Sequence, residues 1–106
     1  MFDKSKAMND YQITEQQYNG LLREFVAQAS ENIENIESTV RTGYSKVAVA
    51  AAHSLKGVAG NLRLDACYSI AQGIEAALKA ADYDAANSGI AQLRKALDEI
   101  RAAIKG

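Results

Sequence analysis

Reactive side chains are few in this chain: among 106 residues there is one histidine, His53, one cysteine, Cys67, and no proline or tryptophan. His53 opens the stretch HSLKGVAGN, residues 53–61, in which Lys56 follows three places on and Gly57 and Gly60 interrupt an alanine-rich run. Glycine inside a helix is about 0.5–1 kcal/mol less favourable than alanine, so two of them beside a solitary imidazole call for a reason. On a helix advancing about 100° per residue, Val49, Ala50, Lys56, Gly57 and Gly60 all fall within about 60° of His53, whereas Leu55 lies about 160° away. The imidazole is therefore expected to face solvent among small side chains, with Val49 as one exposed apolar neighbour. Lys56 is at hand to stabilise an anionic group carried on the ring.

Other chemistries fail for want of partners. A metal centre in a helical domain needs two or more histidines or a Glu-x-x-His pattern, and neither is present. Ser54 and Ser69 have no base at supporting spacing, and no glycine-rich phosphate loop follows a strand. A single cysteine makes no intrachain disulfide, and Cys67 reads as a small apolar packing residue.

The elements that must position His53 are helical. The sequence lacks runs of β-branched residues and is rich in Ala, Leu, Glu, Lys and Gln, which makes it all-α. Thr14 and Gln17 form a capping box, and Leu22, Phe25, Ala29, Ile33, Ile36 and Val40 draw an apolar stripe toward the stop at Gly43, with a bend expected at Gly20. Ser45 is expected to cap a second helix with the inward stripe Val47, Ala51, Leu55, Val58, Leu62. Asp65 is expected to cap a third, with Cys67, Ile70, Ile74, Leu78 and Ala81 inward. Asp82 or Asp84 opens a fourth, striped by Ile90, Leu93, Leu97, Ile100 and Ile104. Such short connections favour antiparallel neighbours and predict an up-down-up-down four-helix bundle over residues 13–106. Residues 1–12 form a leader or a short extra helix.

A hairpin of the second and third helices about Leu64 sets Glu75 level with His53. A carboxylate there can accept a hydrogen bond from Nδ1–H, fix the tautomer and leave Nε2 as the nucleophile. Composition bounds the rest. Twelve basic and thirteen acidic residues nearly cancel, giving a net charge of −1, so nothing points to nucleic acid or an acidic membrane. No apolar run approaches the ~18–20 residues of a membrane span, and the opening MFDKSKAMND has no signal-peptide core, so a cytoplasmic protein is expected.

With these residues in view, AAHSLKGVAGNL closely resembles the phosphoacceptor motif of histidine-containing phosphotransfer (HPt) domains, the type found in hybrid sensor histidine kinases. The likeness extends over most of residues 21–104 and takes in GIEAAL at 73–78 and AADYDAA before the last helix. It implies that His53 carries a phosphoryl group on Nε2, that Lys56 steadies its charge, and that Gly57 leaves room for the phosphate and an incoming partner. Glu75 stands where the family has a Gln or Glu bonded to the other ring nitrogen, and Asn61 matches a residue frequent in hybrid-kinase members. Arg63 departs from the pattern, which has glycine there. It reads as a solvated terminal charge or as a second cation toward an acidic partner.

The resemblance further implies partners: receiver (response regulator) domains, and a hybrid sensor kinase, with these residues either a free protein or the cytoplasmic end of that kinase. Docking would use Val49, Ala50, Gly60, Asn61 and Arg63, with Glu31, Glu34 and Asn35 at the rim. No cofactor of its own is implied; Mg²⁺ is expected on the partner receiver. Two other functions stay open, a receiver-binding module that is not phosphorylated and a substrate domain phosphorylated directly from ATP by a chemotaxis-type kinase.

Overall fold

Local sequence accounts for two of the helix starts through side-chain caps. The structure, a computed structural model, describes residues 4–43 and 45–105, the side chains of Ser45 and Lys105 excepted. It contains α1 (Lys4–Tyr11), α2 (Glu15–Thr42), α3 (Ser45–Asn61), α4 (Asp65–Lys79) and α5 (Tyr83–Lys105). Thr14 caps α2 reciprocally with Gln17, and α2 runs unbroken through Gly20 to Gly43, whose φ of 85° closes it in the left-handed region. Asp82 caps α5 by accepting from the Ala85 N–H at 3.1 Å, leaving Asp84 in the first turn.

Two expected caps shift. α4 begins with Asp65 as its first helical residue and Leu64 at the cap, where no side-chain bond forms, so Asp65 contributes through the helix dipole instead. α3 starts at Ser45 itself, whose side chain lies outside the described residues. The leader is a helix from Lys4 onward: Ala7 is fully buried, and Lys4 Nζ reaches Asn19 Oδ1 at 2.9 Å and the Ala103 carbonyl at 3.1 Å. Residues 1–3 lie outside the described set.

The four long helices close on one core, α2 on α3, α3 on α4, α4 on α5 and α5 back on α2. Contacts descend on one helix as they rise on its neighbour, Ser30 with Arg101 and Glu37 with Arg94, Gly60 with Tyr68 and His53 with Glu75. The pairs α2/α5 and α3/α4 are therefore antiparallel. Stripes on α2 and α5 are buried as expected, with Val40 and Ile104 half-buried at the ends.

On α3 the buried face is rotated from the expected one. Ala48, Ala52, Leu55, Ala59 and Leu62 point inward, whereas Val47 is 53% exposed and Val58 sits at the surface. α3 is wedged between α2 and α4, and its alanines let its axis approach both. The rotation also carries the Val49 and Lys56 side toward α4, and Val49 is half-buried against the core rather than exposed. Ala81, expected inward, lies beyond α4 with φ 57° and is exposed.

Candidate functional site

His53 and Glu75 meet across the α3/α4 seam. His53 Nδ1 stands 3.0 Å from Glu75 Oε2, with the imidazole side chain 67% exposed and the carboxylate side chain only 8% exposed. Three cationic or imidazole groups converge on that carboxylate. Lys56 Nζ is 2.9 Å from Oε1, and Lys79 Nζ, one turn along α4, is 3.5 Å from Oε2. The Lys56 hydrogen bond, followed by that of His53 and the charges of both lysines, outweighs burial and holds the Glu75 carboxyl down at about 2. In return, Glu75 pushes the Lys56 ammonium up from its ordinary value.

A carboxylate so ionised can only accept, so the proton in the Glu75 bond must sit on His53 Nδ1. That assigns the tautomer and leaves the lone pair on Nε2, the ring nitrogen away from Glu75. With the ring neutral, the arrangement can supply a nucleophile at Nε2 and a buried anion to balance the positive charge the ring acquires when Nε2 bonds to an electrophile.

The glycines divide. A Cβ on Gly57 would meet nothing within 4 Å, so the gap beside His53 is open space. A Cβ on Gly60 would stand 3.2 Å from Tyr68 Cδ2. Gly60 therefore admits the Tyr68 ring of α4 and does not clear a landing surface around His53.

The expected docking residues divide in the same way. Val49, exposed Ala50 and Gly57 lie within about one turn of His53. Asn61 and Arg63 sit more than two turns away at the end of α3, roughly 12–15 Å along its axis. Arg63 has φ 61°, the conformation that favours glycine, and closes α3 with its own N–H on the Gly60 carbonyl and the Leu64 N–H on that of Ala59. The glycine turn is thus kept without glycine. Its guanidinium pairs with Asp10 at 3.0 Å, bonds the Gly60 carbonyl at 3.1 Å and stacks 5.0 Å over the Tyr11 ring, while the Tyr11 hydroxyl donates to the Asn61 carbonyl. That engagement argues against Arg63 as a docking cation: it fastens α1 to the α3/α4 turn. Glu34 faces Arg94 and Arg101 in the α2/α5 groove, away from His53.

Sequence reasoning did not single out Lys79, although a Glu followed four places on by Lys is a recognisable helix pair. Among the described residues no group of three or more His, Cys, Asp or Glu is placed to hold a metal.

The sequence pattern of the Hpt domain matches residues 20–103, spanning α2 to α5. The chain belongs to the Hpt domain family. Hpt domains carry out histidine phosphotransfer within phosphorelays, and this chain is such a module. No curated protein and no solved structure matches it significantly. Among the described residues no Hpt helix is long and apolar enough to cross a membrane.

Proposed function

We propose that the chain is a relay intermediate, built as an up-down-up-down four-helix bundle, which takes a phosphoryl group on His53 Nε2 from a receiver-domain aspartate and passes it to another. The observation that carries this reading is the chain's single histidine, exposed, with Nδ1–H held by the buried anion of Glu75.

In the forward step Nε2 attacks phosphorus in line. The P–N bond forms as the acyl phosphate P–O bond breaks, and the receiver aspartate leaves as carboxylate. The Nδ1 proton stays on the ring, where Glu75 balances the imidazolium. In the reverse step a receiver carboxylate attacks phosphorus and neutral imidazole leaves. Mg²⁺ on the partner receiver supplies neutralisation of the transferring oxygens. This chain contributes a nucleophile already oriented, and Gly57, Ala50 and half-buried Val49 offer an uncluttered surface to a receiver loop. Such partners set the module in the cytoplasm, free or as the cytoplasmic end of a membrane-anchored sensor kinase.

The test incubates the chain with phosphorylated receivers and Mg²⁺ beside a His53→Gln control. Acid-labile, base-stable label on the wild type that vanishes in the control is expected. Absence of label with every receiver offered overturns the relay and leaves a receiver-binding module. Label acquired only from an ATP-dependent kinase domain replaces it with the kinase-substrate reading, which the Glu75 contact favours over a passive module.

A further inference from the structure

The two lysines beside Glu75 are held differently. Lys56 is 21% exposed and makes a 2.9 Å charge-assisted bond to Oε1, a committed contact. Lys79 is 63% exposed and stands 3.5 Å from Oε2, beyond ordinary hydrogen-bond length, on the oxygen that already accepts from His53 Nδ1. Oε2 therefore serves two positive partners, one firmly and one loosely.

Resting on the phosphotransfer reading above, we propose that Lys79, rather than Lys56, is the cation that moves onto the phosphoryl group of His53. When Nε2 bonds to phosphorus the ring becomes an imidazolium, and its Nδ1–H tightens on Oε2. The new positive charge repels the ammonium sharing that oxygen. The phosphoryl oxygens, on the opposite edge of the ring, attract it. Lys79 gives up only a long, solvent-screened contact in moving, whereas Lys56 would leave a buried carboxylate short of its closest partner. Lys56 is on this account a positioning residue that keeps Glu75 anionic and aimed at Nδ1. Lys79 attends the charge that develops in transfer.

Phosphoramidate tests this without a receiver: its P–N bond breaks as the P–Nε2 bond forms, ammonia leaves, and the label is followed on the full chain. The wild type, Lys79→Ala, Lys79→Arg and Lys56→Ala are compared for limiting labelling rate, for thermal midpoint and for the Nδ1–H proton resonance. Lys79→Ala is expected to label about three- to tenfold more slowly, with the resonance and midpoint kept, Lys79→Arg to recover most of the rate, and the deficit to shrink in molar salt. Lys56→Ala is expected to lose the Nδ1–H resonance. The assignment is overturned if Lys79→Ala labels within twofold of wild type, or if it loses the resonance as Lys56→Ala does, which would make it only a prop for Glu75. A wild-type chain that takes no label overturns the phosphotransfer reading itself, and this assignment with it.

Discussion

Replacing Gly57 by alanine should separate stability from function in one step. Gly57 lies inside α3 with helical backbone, and an added Cβ has nothing within 4 Å. The folded chain therefore gains alanine's helix preference without a clash, about 0.5–1 kcal/mol. For a domain of this size that raises Tm by about 2–8 °C. Gly20, also helical with open space around it, provides the control for the propensity effect alone.

The same methyl group projects one turn from His53, where a receiver loop must come down. Overpacking of a close interface is worth about 1–3 kcal/mol, which slows transfer by about 5- to 160-fold. Thermal melts by circular dichroism and transfer from a phosphorylated receiver measure the two quantities on the same sample. Gly20→Ala should melt higher and transfer normally, Gly57→Ala should melt higher and transfer slowly. If Gly57→Ala melts lower, the open space is filled by something the geometry does not show. Should it melt higher and transfer at the wild-type rate, Gly57 is not kept for the approach of a partner.

Gly89→Ala should behave in the opposite sense, because its Cβ would stand 2.6 Å from Ile74 Cγ1 in the core: a loss of about 1–2 kcal/mol net of helix preference is expected in urea melts, and a smaller loss when the same change is made in an Ile74→Ala background. Ala81→Gly should stabilise by about 1 kcal/mol, since exposed Ala81 holds φ 57° and closes α4 where glycine is free of strain; an unchanged urea midpoint would refute this. Two of the shifted groups give separate tests of the pH profile. Glu75, held down at about 2, contributes stability present above the ordinary carboxyl value and lost as pH falls toward 2, so Glu75→Gln should flatten the acid limb. Tyr18, pushed by burial up to about 12, contributes stability present below pH 10 and lost toward pH 12, so Tyr18→Phe should flatten the alkaline limb. Acid and alkaline melts in which either variant keeps the wild-type slope would count against the assignment.

The fold was legible wherever the sequence carried its own punctuation. Thr14 with Gln17, Gly43, Asp82 and the clean stripes of α2 and α5 each correspond to a local physical signal, and each is found in the structure. The ends of α1, α3 and α4 carried no such signal. Gln12, Arg63 and Ala81 take positive φ there, and their helices close through the same pair of backbone bonds that glycine usually serves. A residue forced into that conformation by its neighbours looks, in sequence, like a residue continuing the helix. The inward face of α3 was misread for a related reason. Valine outranks alanine in hydrophobicity, but a helix wedged between two others buries the side nearest both, and small side chains permit the approach.

At the site, what depended on two helices and one short turn was readable, and what depended on a third element was not. Glu75 followed from hairpin symmetry about Leu64, and the 3.0 Å bond to His53 is the outcome. Arg63 could not be read the same way, because its partners Asp10 and Tyr11 come from α1, far off in sequence. Its strained backbone and its contacts sit in one residue: Arg63 holds a glycine conformation while α1 grips its side chain. Removing that grip by Asp10→Ala with Tyr11→Ala should leave Arg63 with strain and no compensation, so that Arg63→Gly stabilises the doubly substituted chain more than it does the wild type. Equal effects in both backgrounds, measured as shifts in urea midpoint, would show that α1 and the end of α3 are energetically independent.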